Sequence, residues 1–525
     1  MMAAAASLGL LCLWDVDVGM GYIDNYTYVE DDNIKAGATL ANGLITASVK
    51  NENEAALALL GDKLDDKHVP TKVAAIVGLG VAYAGSNNET VSELLTPFAS
   101  DTTVSMEVAS MATLALGFVF MGSCNDEIAA SIVQTMMERE LEDLKSEVAR
   151  YMALGLSLLY LGCRREEASE VIVELLKTIE APVGKQTLVL IEACSFAGTG
   201  NVLKIQSMLH HCTDHLNANE AEKAENEAAE RPSDANAAAS TDQNGSVEVD
   251  KKEKEHADDA FQALAVLGLS LIGMGEDIGA EMLTRQFNHL MHYGEPVIRR
   301  SVPLALGFLS VGNPVLHIMD TLSKYSHDND LDVAMNAIFA MGLLGAGTNN
   351  ARLAQMLRQL ATYYATQPEC LFTVRIAMGL VHLGKGTITV NPFHTDRQLM
   401  SPAAVSGLLA TLLAFTDTKF FILGKYPWML YMLVTAMFPR FLITLDEEGN
   451  HQKVNVRVGQ AVDVVGQAGK PRTITGFQTH KTPVRLGNTE RAELATEEFI
   501  SYASVLEGWC ILAKNKGWME EDQMS

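Results

Sequence analysis

Val77-Gly78-Leu79-Gly80-Val81-Ala82-Tyr83-Ala84-Gly85-Ser86-Asn87 is the stretch whose reading decides the fold. Apolar residues crowd around two glycines, and the segment closes on a third glycine and an asparagine. The same order returns as Leu114-Ala115-Leu116-Gly117, closing at Gly122-Ser123-Cys124-Asn125, and as Ala153-Leu154-Gly155 with Gly162. A degenerate copy stands at Ala197-Gly198-Thr199-Gly200-Asn201. After an interruption the pattern resumes at Val266-Leu267-Gly268 with Gly275 and at Leu304-Ala305-Leu306-Gly307 with Gly312-Asn313. Ala340-Met341-Gly342 with Gly347-Thr348-Asn349 and Ala377-Met378-Gly379 with Gly384 complete the series, and Ala36-Gly37-Ala38 with Gly43 begins it. The period is about 35 to 40 residues, the range of helical solenoids. Each unit reads as two helices. The first carries the small-residue motif and ends at the second Gly or Asn, residues suited to a left-handed C-cap. The second is longer and more amphipathic, as in Asn125 to Leu144 and Ala351 to Thr362. A mid-helix Gly costs about 1 kcal/mol relative to Ala. Repeated at one phase, that cost must be offset by packing, so the motif helices are expected to approach backbone to backbone, with the larger helices outside them. Periodicity gives the two-helix stack; closure into a ring does not follow from it.

Composition narrows the function. The 525 residues include 39 Lys and Arg against 65 Asp and Glu, a formal charge of −26. No broad positive surface is available to replace phosphate counterions, so a nucleic-acid binder is excluded and basic partners are favoured. Hydrophobic residues at 48% and charged residues at 20% fit a packed globular protein. The seven cysteines are scattered, with no CxxC pair, which argues against a disulfide framework or structural zinc and for buried thiols in a reducing compartment. Met1 to Trp14 is apolar but lacks a basic leader and runs at once into Asp15 and Asp17, so it reads as a packed helix and not as a signal peptide. Phe420 to Leu445 is interrupted by Lys425, Pro427, Pro439 and Arg440. Its nearly unbroken apolar part, Trp428 to Phe438, is shorter than the roughly 20 residues a bilayer span needs. It reads as a buried core helix of a soluble protein.

The organisation follows: a helical lead-in over 1–31, a first repeat block over 32–216, an acidic insertion over 217–259, and a second block with trailing helices over 260–446. A β-rich domain over 447–516 and an acidic tail over 517–525 end the chain. The insertion has almost no large apolar residue and is expected to be disordered. In the β-rich domain, Val454 to Val458, Ala461 to Val465, Arg472 to Thr479, Pro483 to Leu486 and Val505 to Leu512 are strand-like, separated by Gly459, Gly466, Gly469-Lys470-Pro471 and Gly487-Asn488.

Few residues suggest chemistry. Gly379 to Thr387 nearly matches a phosphate-binding loop, but Gly386 occupies the hydroxyl position and the segment sits at a helix end, so it reads as a C-cap. Gly345-Ala346-Gly347 is likewise repeat punctuation. His210, His211, Cys212 and His215, and separately His289, His292 and Glu295, lack a full set of metal ligands. There is no GxSxG elbow and no HExxH motif. No catalytic residue, metal site or cofactor is expected. Glu127, Gln134 and Glu138 are spaced by seven and four, which places them on one stripe of a helix while Ile128, Ile132 and Met136 face elsewhere. A solvated outer face accounts for such a stripe more readily than a binding site does.

These features together resemble the proteasome/cyclosome repeat family, most of all the large non-ATPase scaffold of the 26S proteasome base. Besides the repeats, the resembling strings are Leu13-Trp14-Asp15-Val16-Asp17, Gly275 to Met282, Tyr293-Gly294-Glu295, Arg299 to Ala305, Gly345 to Arg352 and Val456 to Gly469. The resemblance covers essentially the whole chain apart from the acidic insertion. The resemblance implies an α-solenoid closed into a toroid and docked beside the ATPase-ring subunits of the regulatory particle, in cytoplasm and nucleus. It implies binding of ubiquitin, of shuttle receptors through ubiquitin-like domains, and of a deubiquitinase, with Glu127, Gln134 and Glu138 as the ubiquitin-binding stripe. Some members carry an acid where this chain has Gln134. Members also have a long helical region before the Trp-Asp-Val-Asp string that this chain lacks, and the contacts that region makes to the particle are expected to be lost. Two other classes stay open at this point. A generic helical adaptor would show no preference for ubiquitin-like domains, and an enzyme in the β-rich domain would lose turnover on removal of the residues after Asp446.

Overall fold

The computed structural model describes residues 1–49, 54–213, 244–394, 400–463, 472–487 and 490–518. They form two compact units, one of Met1–Leu309 with Val405–Thr435, the other of Ser310–Ala404 with Ala436–Ser525.

In the first unit the motif helices stack in chain order. Met2–Leu11, Asp32–Ile45, Val69–Ala82, Met106–Val119, Ala149–Leu159, Pro182–Ser195, Asn244–Gly273 and Pro296–Leu309 each pack on the next. Their glycines mark the closest approaches. A Cβ on Gly80 would lie 2.7 Å from Ala115 Cα, and one on Gly117 would lie 2.8 Å from Gly155 Cα. Backbone thus meets backbone, and the burial of two glycine-lined helix faces offsets the propensity cost of each glycine. Helix Met106–Val119 is buried at every position except Glu107. The alternate helices, among them Glu89–Ser100, Asp126–Glu138 and Val202–His211, bury one face only.

The turn after each motif helix explains the second glycine. Gly85, Gly122, Gly162 and Gly198 have φ near +70°, and the residue two places on is left-handed as well: Asn87, Cys124, Arg164 and Gly200. This conformation aims two backbone N–H groups at the next motif helix. Gly85 and Asn87 donate to the carbonyls of Phe118 and Val119 at 2.8 and 3.2 Å. Gly122 and Cys124 donate to Leu158 and Leu159, Gly162 and Arg164 to Cys194 and Ser195, and Gly198 and Gly200 to Leu271 and Ile272. Carbonyls at a helix C-terminus lack intrahelical partners; here the preceding turn supplies them. The asparagines divide the work. Asn87 takes the left-handed position, whereas Asn88, Asn125 and Asn201 are N-caps of the following outer helix, Asn125 accepting from the amides of Glu127 and Ile128 at 3.0 and 3.2 Å. Asn125→Ala should therefore cost about 1 kcal/mol of stability, read from the shift of the urea midpoint at unchanged m-value.

The lead-in over 1–31 is itself part of the stack. Gly9 sits against Ala41, with a Cβ there 2.9 Å from Ala41 Cα, and the left-handed Trp14 donates its N–H to Ile45 O at 3.3 Å. The segment Val405–Thr435 returns to this unit. Tyr151 Oη donates to Ala410 O at 3.3 Å and meets Phe421 edge-on at 5.3 Å, Arg150 donates to Thr416 Oγ1 at 3.0 Å, and Tyr431 Oη donates to Ala3 O at 2.6 Å.

In the second unit, motif helices Leu331–Leu344 and Pro368–Val381 alternate with Leu316–Tyr325 and Ala351–Tyr363. The same ladder links Gly312 to Leu343 O, and Gly347 and Asn349 to Leu380 and Val381 O. Three antiparallel or mixed sheets follow. Strand β1 (Ile388–Val390) pairs with β2 (Met437–Pro439). The strands β3 (Phe441–Leu445), β6 (Val484–Arg485), β8 (Phe499–Ser501) and β9 (Gly508–Lys514) form a sheet of order β6-β3-β9-β8, with β3 and β9 parallel. The strands β4 (Asn455–Asp463), β5 (Arg472–Lys481) and β7 (Glu490–Leu494) form another, of order β5-β4-β7. Leu442, Val456, Val458, Leu486, Ala492, Leu506 and Cys510 fill the core between these strands.

Several expectations are corrected. The segment Phe420 to Leu445 is not one buried helix: a π-turn at Phe421–Lys425 is followed by 3₁₀ turns over Pro427–Ala436 and then by β2 and β3. Proline at 427 and 439 and the non-helical Gly424 remove the option of a continuous α-helix. Val454–Val458 and Ala461–Val465 join as one strand over its described part, with a bulge at Val458/Gln460. Gly459 lies at that irregularity because a Cβ would meet Thr475 O at 2.8 Å. Of the acidic stretch 217–259, residues 217–243 lie outside the described residues. Asn244 onward is helical and continuous with the helix ending at Gly273, since an existing helix extends at little cost.

Candidate functional site

Helix Asp126–Glu138 is positioned from both ends. At its start Asn125 caps it. At its end the buried Arg139 reaches back, donating to Asp101 O at 2.8 Å and Val104 O at 3.1 Å. Burial pulls the Arg139 guanidinium below its ordinary range, and Asp143 and Asp101 oppose that shift. Laterally, Ser131 Oγ lies 2.8 Å from Ser100 Oγ of helix Glu89–Ser100. Ile128, Ile132, Val133 and Met136 are buried and seat the helix.

Glu127, Gln134 and Glu138 are all exposed on the opposite side, as their spacing requires. Gln134 Nε2 donates to Glu138 Oε1 at 2.8 Å, so the amide holds one carboxylate oxygen in place and adds no charge of its own. The reading from spacing overlooked what lies between them. Ala130 and Met137 are exposed on the same side of the helix, and Leu141 just beyond its end and Leu94 of the neighbouring helix are exposed as well. The signal was present, for Ala130 and Met137 stand at i−4 and i+3 from Gln134. The acids Asp126, Glu140 and Glu142 are also exposed. The arrangement is an apolar strip framed by carboxylates on a rigidly held helix. It suits a partner with an apolar patch and basic neighbours, and offers no nucleophile or acid/base pair.

The other candidate groups separate. Among the described residues, no group of three or more His, Cys, Asp or Glu is placed to hold a metal ion; His215 lies outside them. The loop-like Gly379 to Thr387 is a helix end, with Gly384, Lys385 and Gly386 all at positive φ, and the strand it touches follows it instead of preceding it. Asn349 at the equivalent turn contacts His382 Nδ1 at 2.8 Å. All seven cysteines are free thiols. Burial, with the Cys163 thiol beside it, pushes Cys124 up to about 12. No described helix is long and apolar enough to cross a membrane.

Comparison with known proteins covers the chain from end to end. Residues 74–108 and 336–368 match the proteasome/cyclosome repeat. Residues 465–518 match the C-terminal region of the 26S proteasome non-ATPase regulatory subunit RPN1. The 26S proteasome regulatory subunit rpn-1 of Neurospora crassa is 52% identical over 99% of this chain and 54% of its own length. That of Schizosaccharomyces pombe is 49% identical over 98% of this chain and 54% of its own length. The 26S proteasome non-ATPase regulatory subunit 2 of Dictyostelium discoideum is 45% identical over 98% and 52%. The chain thus spans about half the length of the curated relatives it matches.

Proposed function

The chain belongs to the family of 26S proteasome regulatory subunits named RPN1 or non-ATPase regulatory subunit 2, and from this premise we propose that it is a non-catalytic scaffold of the proteasome regulatory particle. The observation that carries this reading is the correspondence at 52% identity across 99% of the chain. The scaffold works by binding alone, holding substrate receptors beside the ATPase ring in cytoplasm and nucleus. Its ligands are ubiquitin, the ubiquitin-like domains of shuttle receptors, and a deubiquitinase. The strip on helix Asp126–Glu138 supports the ubiquitin part. Its apolar residues supply contact area, and Glu127 and Glu138 orient a basic-rimmed partner. Each contact of this size is weak, so polyubiquitin or tandem receptors gain through effective concentration.

Titration of isotope-labelled ubiquitin with the full chain, followed by NMR, tests the site. Saturable shifts confined to ubiquitin's apolar patch and its basic neighbours are expected. Glu127→Arg, Gln134→Arg and Glu138→Arg together should weaken binding about tenfold or more, since like charges then face each other. Unchanged affinity in a triple variant with an unaltered helical spectrum would remove the strip from the site.

A further inference from the structure

The sheet β6-β3-β9-β8 has apolar residues on both faces. Its inner face carries Leu442, Cys510 and Leu512, all buried. On the outer face the register aligns Ile443 with Trp509 and Leu445 with Ile511, and Tyr502 donates its N–H to Ile511 O. Ile500 stands on β8, opposite Ala513 of β9. Trp509 is 62% exposed, Tyr502 70%, Ile500 54% and Ile511 45%, and Ile443 and Leu445 are half-buried. A half-buried antiparallel or mixed sheet normally turns polar residues to water. Four large apolar side chains exposed together on adjacent strands make a small, contiguous surface that another molecule can cover.

The size of the face and its border identify that molecule. Three strands spaced ~4.8 Å apart and rising ~3.3 Å per residue give an apolar area of roughly 14 by 17 Å. That is far below the ~800 Å² per partner that a stable pair of globular copies buries. It matches one α-helix, ~10–12 Å across with its side chains and ~17 Å long over about three turns. Helix on sheet is also one of the few layer pairings that bury an apolar sheet face. The border is acidic at one end. Glu447 accepts from Tyr502 Oη at 2.7 Å, and Glu448 is exposed beside it on a turn that the Asp446 carboxylate pins through the amides of Glu448 and Asn450 at 3.0 and 2.8 Å. The His451 ring lies beside Trp509, tilted, with ring centroids 5.9 Å apart, and Trp509 stands on β9 between β3 and β8.

We propose that the outer face of this sheet docks an amphipathic α-helix of a partner protein, its apolar stripe over Trp509, Ile511, Ile500 and Tyr502 and its lysines or arginines against Glu447 and Glu448. The test uses the full chain and three fluorescein-labelled peptides of three helical turns. One has a leucine stripe ending in lysines, the second replaces those lysines by glutamates, and the third carries a central proline. Fluorescence polarisation should give saturable binding of the lysine peptide, with the other two at least about tenfold weaker. Trp509→Lys with Ile511→Lys should abolish binding, and Glu447→Gln with Glu448→Gln should weaken the lysine peptide alone. Melting curves check the fold; if the double lysine variant melts early, Ile500→Lys at the sheet edge takes its place. Equal binding of the proline peptide, or binding that survives the face variants, overturns the proposal. So does sedimentation showing a dimer of the chain that Trp509→Lys with Ile511→Lys dissolves, which would assign the face to a second copy. Ubiquitin titration of these same variants should be unchanged, so a failure here is separable from a failure of the helix Asp126–Glu138 site.

Discussion

Gly117→Val should unfold most of the first unit's repeat stack, lowering stability by more than about 3 kcal/mol, beyond the ordinary range for overpacking. The added Cβ would lie 2.8 Å from Gly155 Cα and 2.9 Å from Gly155 C. Neither atom belongs to a flexible side chain, so relief requires two helices to move apart, and both are buried almost throughout. The measurement is thermal unfolding by far-ultraviolet circular dichroism. Gly379→Ala is the matched control. Gly379 occupies the same place in the motif, yet is exposed and would meet nothing within 4 Å, so the substitution should stabilise by ~0.5–1 kcal/mol through helix propensity. A similar loss at both positions would show that the glycines serve something other than close approach.

The second large effect is expected at Arg150. Its side chain is buried on helix Ala149–Leu159, paired with Glu147, hydrogen-bonded to Thr416 and stacked over Phe421 at 5.5 Å. Burial pulls its guanidinium below the ordinary value, with Asp417 and Tyr151 opposing the shift. Arg150→Ala leaves the Glu147 carboxylate without its partner and opens a gap against Phe421, and should cost about 3 kcal/mol. Arg150→Met refills the volume without the charge and should recover part of that loss. Urea denaturation of the three proteins separates the two contributions: equal midpoints for Ala and Met would assign the whole effect to the ion pair.

The repeat was legible because a backbone requirement wrote it. Close approach permits only Gly or Ala, and the left-handed turn favours Gly or Asn, so both show at fixed spacing in a single sequence. The lead-in was less so. Gly9 is one small residue in an apolar run without a closing glycine, and Trp14 holds the left-handed position that Asn87 and Gly200 take in other turns. In the second unit, strands β3, β7 and β8 escaped the reading because they are short, and β3 draws its partner from a distant part of the chain, pairing with β9 more than 60 residues later. Spacing alone set Glu127, Gln134 and Glu138 on one side of a helix, and that side is exposed. Its apolar half was not legible, since Met137 looks like a core residue until the burial of Ile132 and Met136 shows which side of the helix faces inward.

The rungs between successive turns join main chain to main chain, and this bears on how such a protein grows over evolutionary time. A join that reads no side chain accepts any neighbour of the right backbone shape. Duplicating or excising one whole repeat should leave a chain that closes its own seam, whereas adding a handful of residues within a motif helix should not. Nature has already run one such insertion in this molecule. Gly198 and Gly200 bond to Leu271 and Ile272 at 2.8 Å with some seventy residues of sequence interposed, the same pairing that elsewhere bridges a single repeat. Novelty can therefore be spliced between repeats, or written on the outer helices, without renegotiating the stack that carries it.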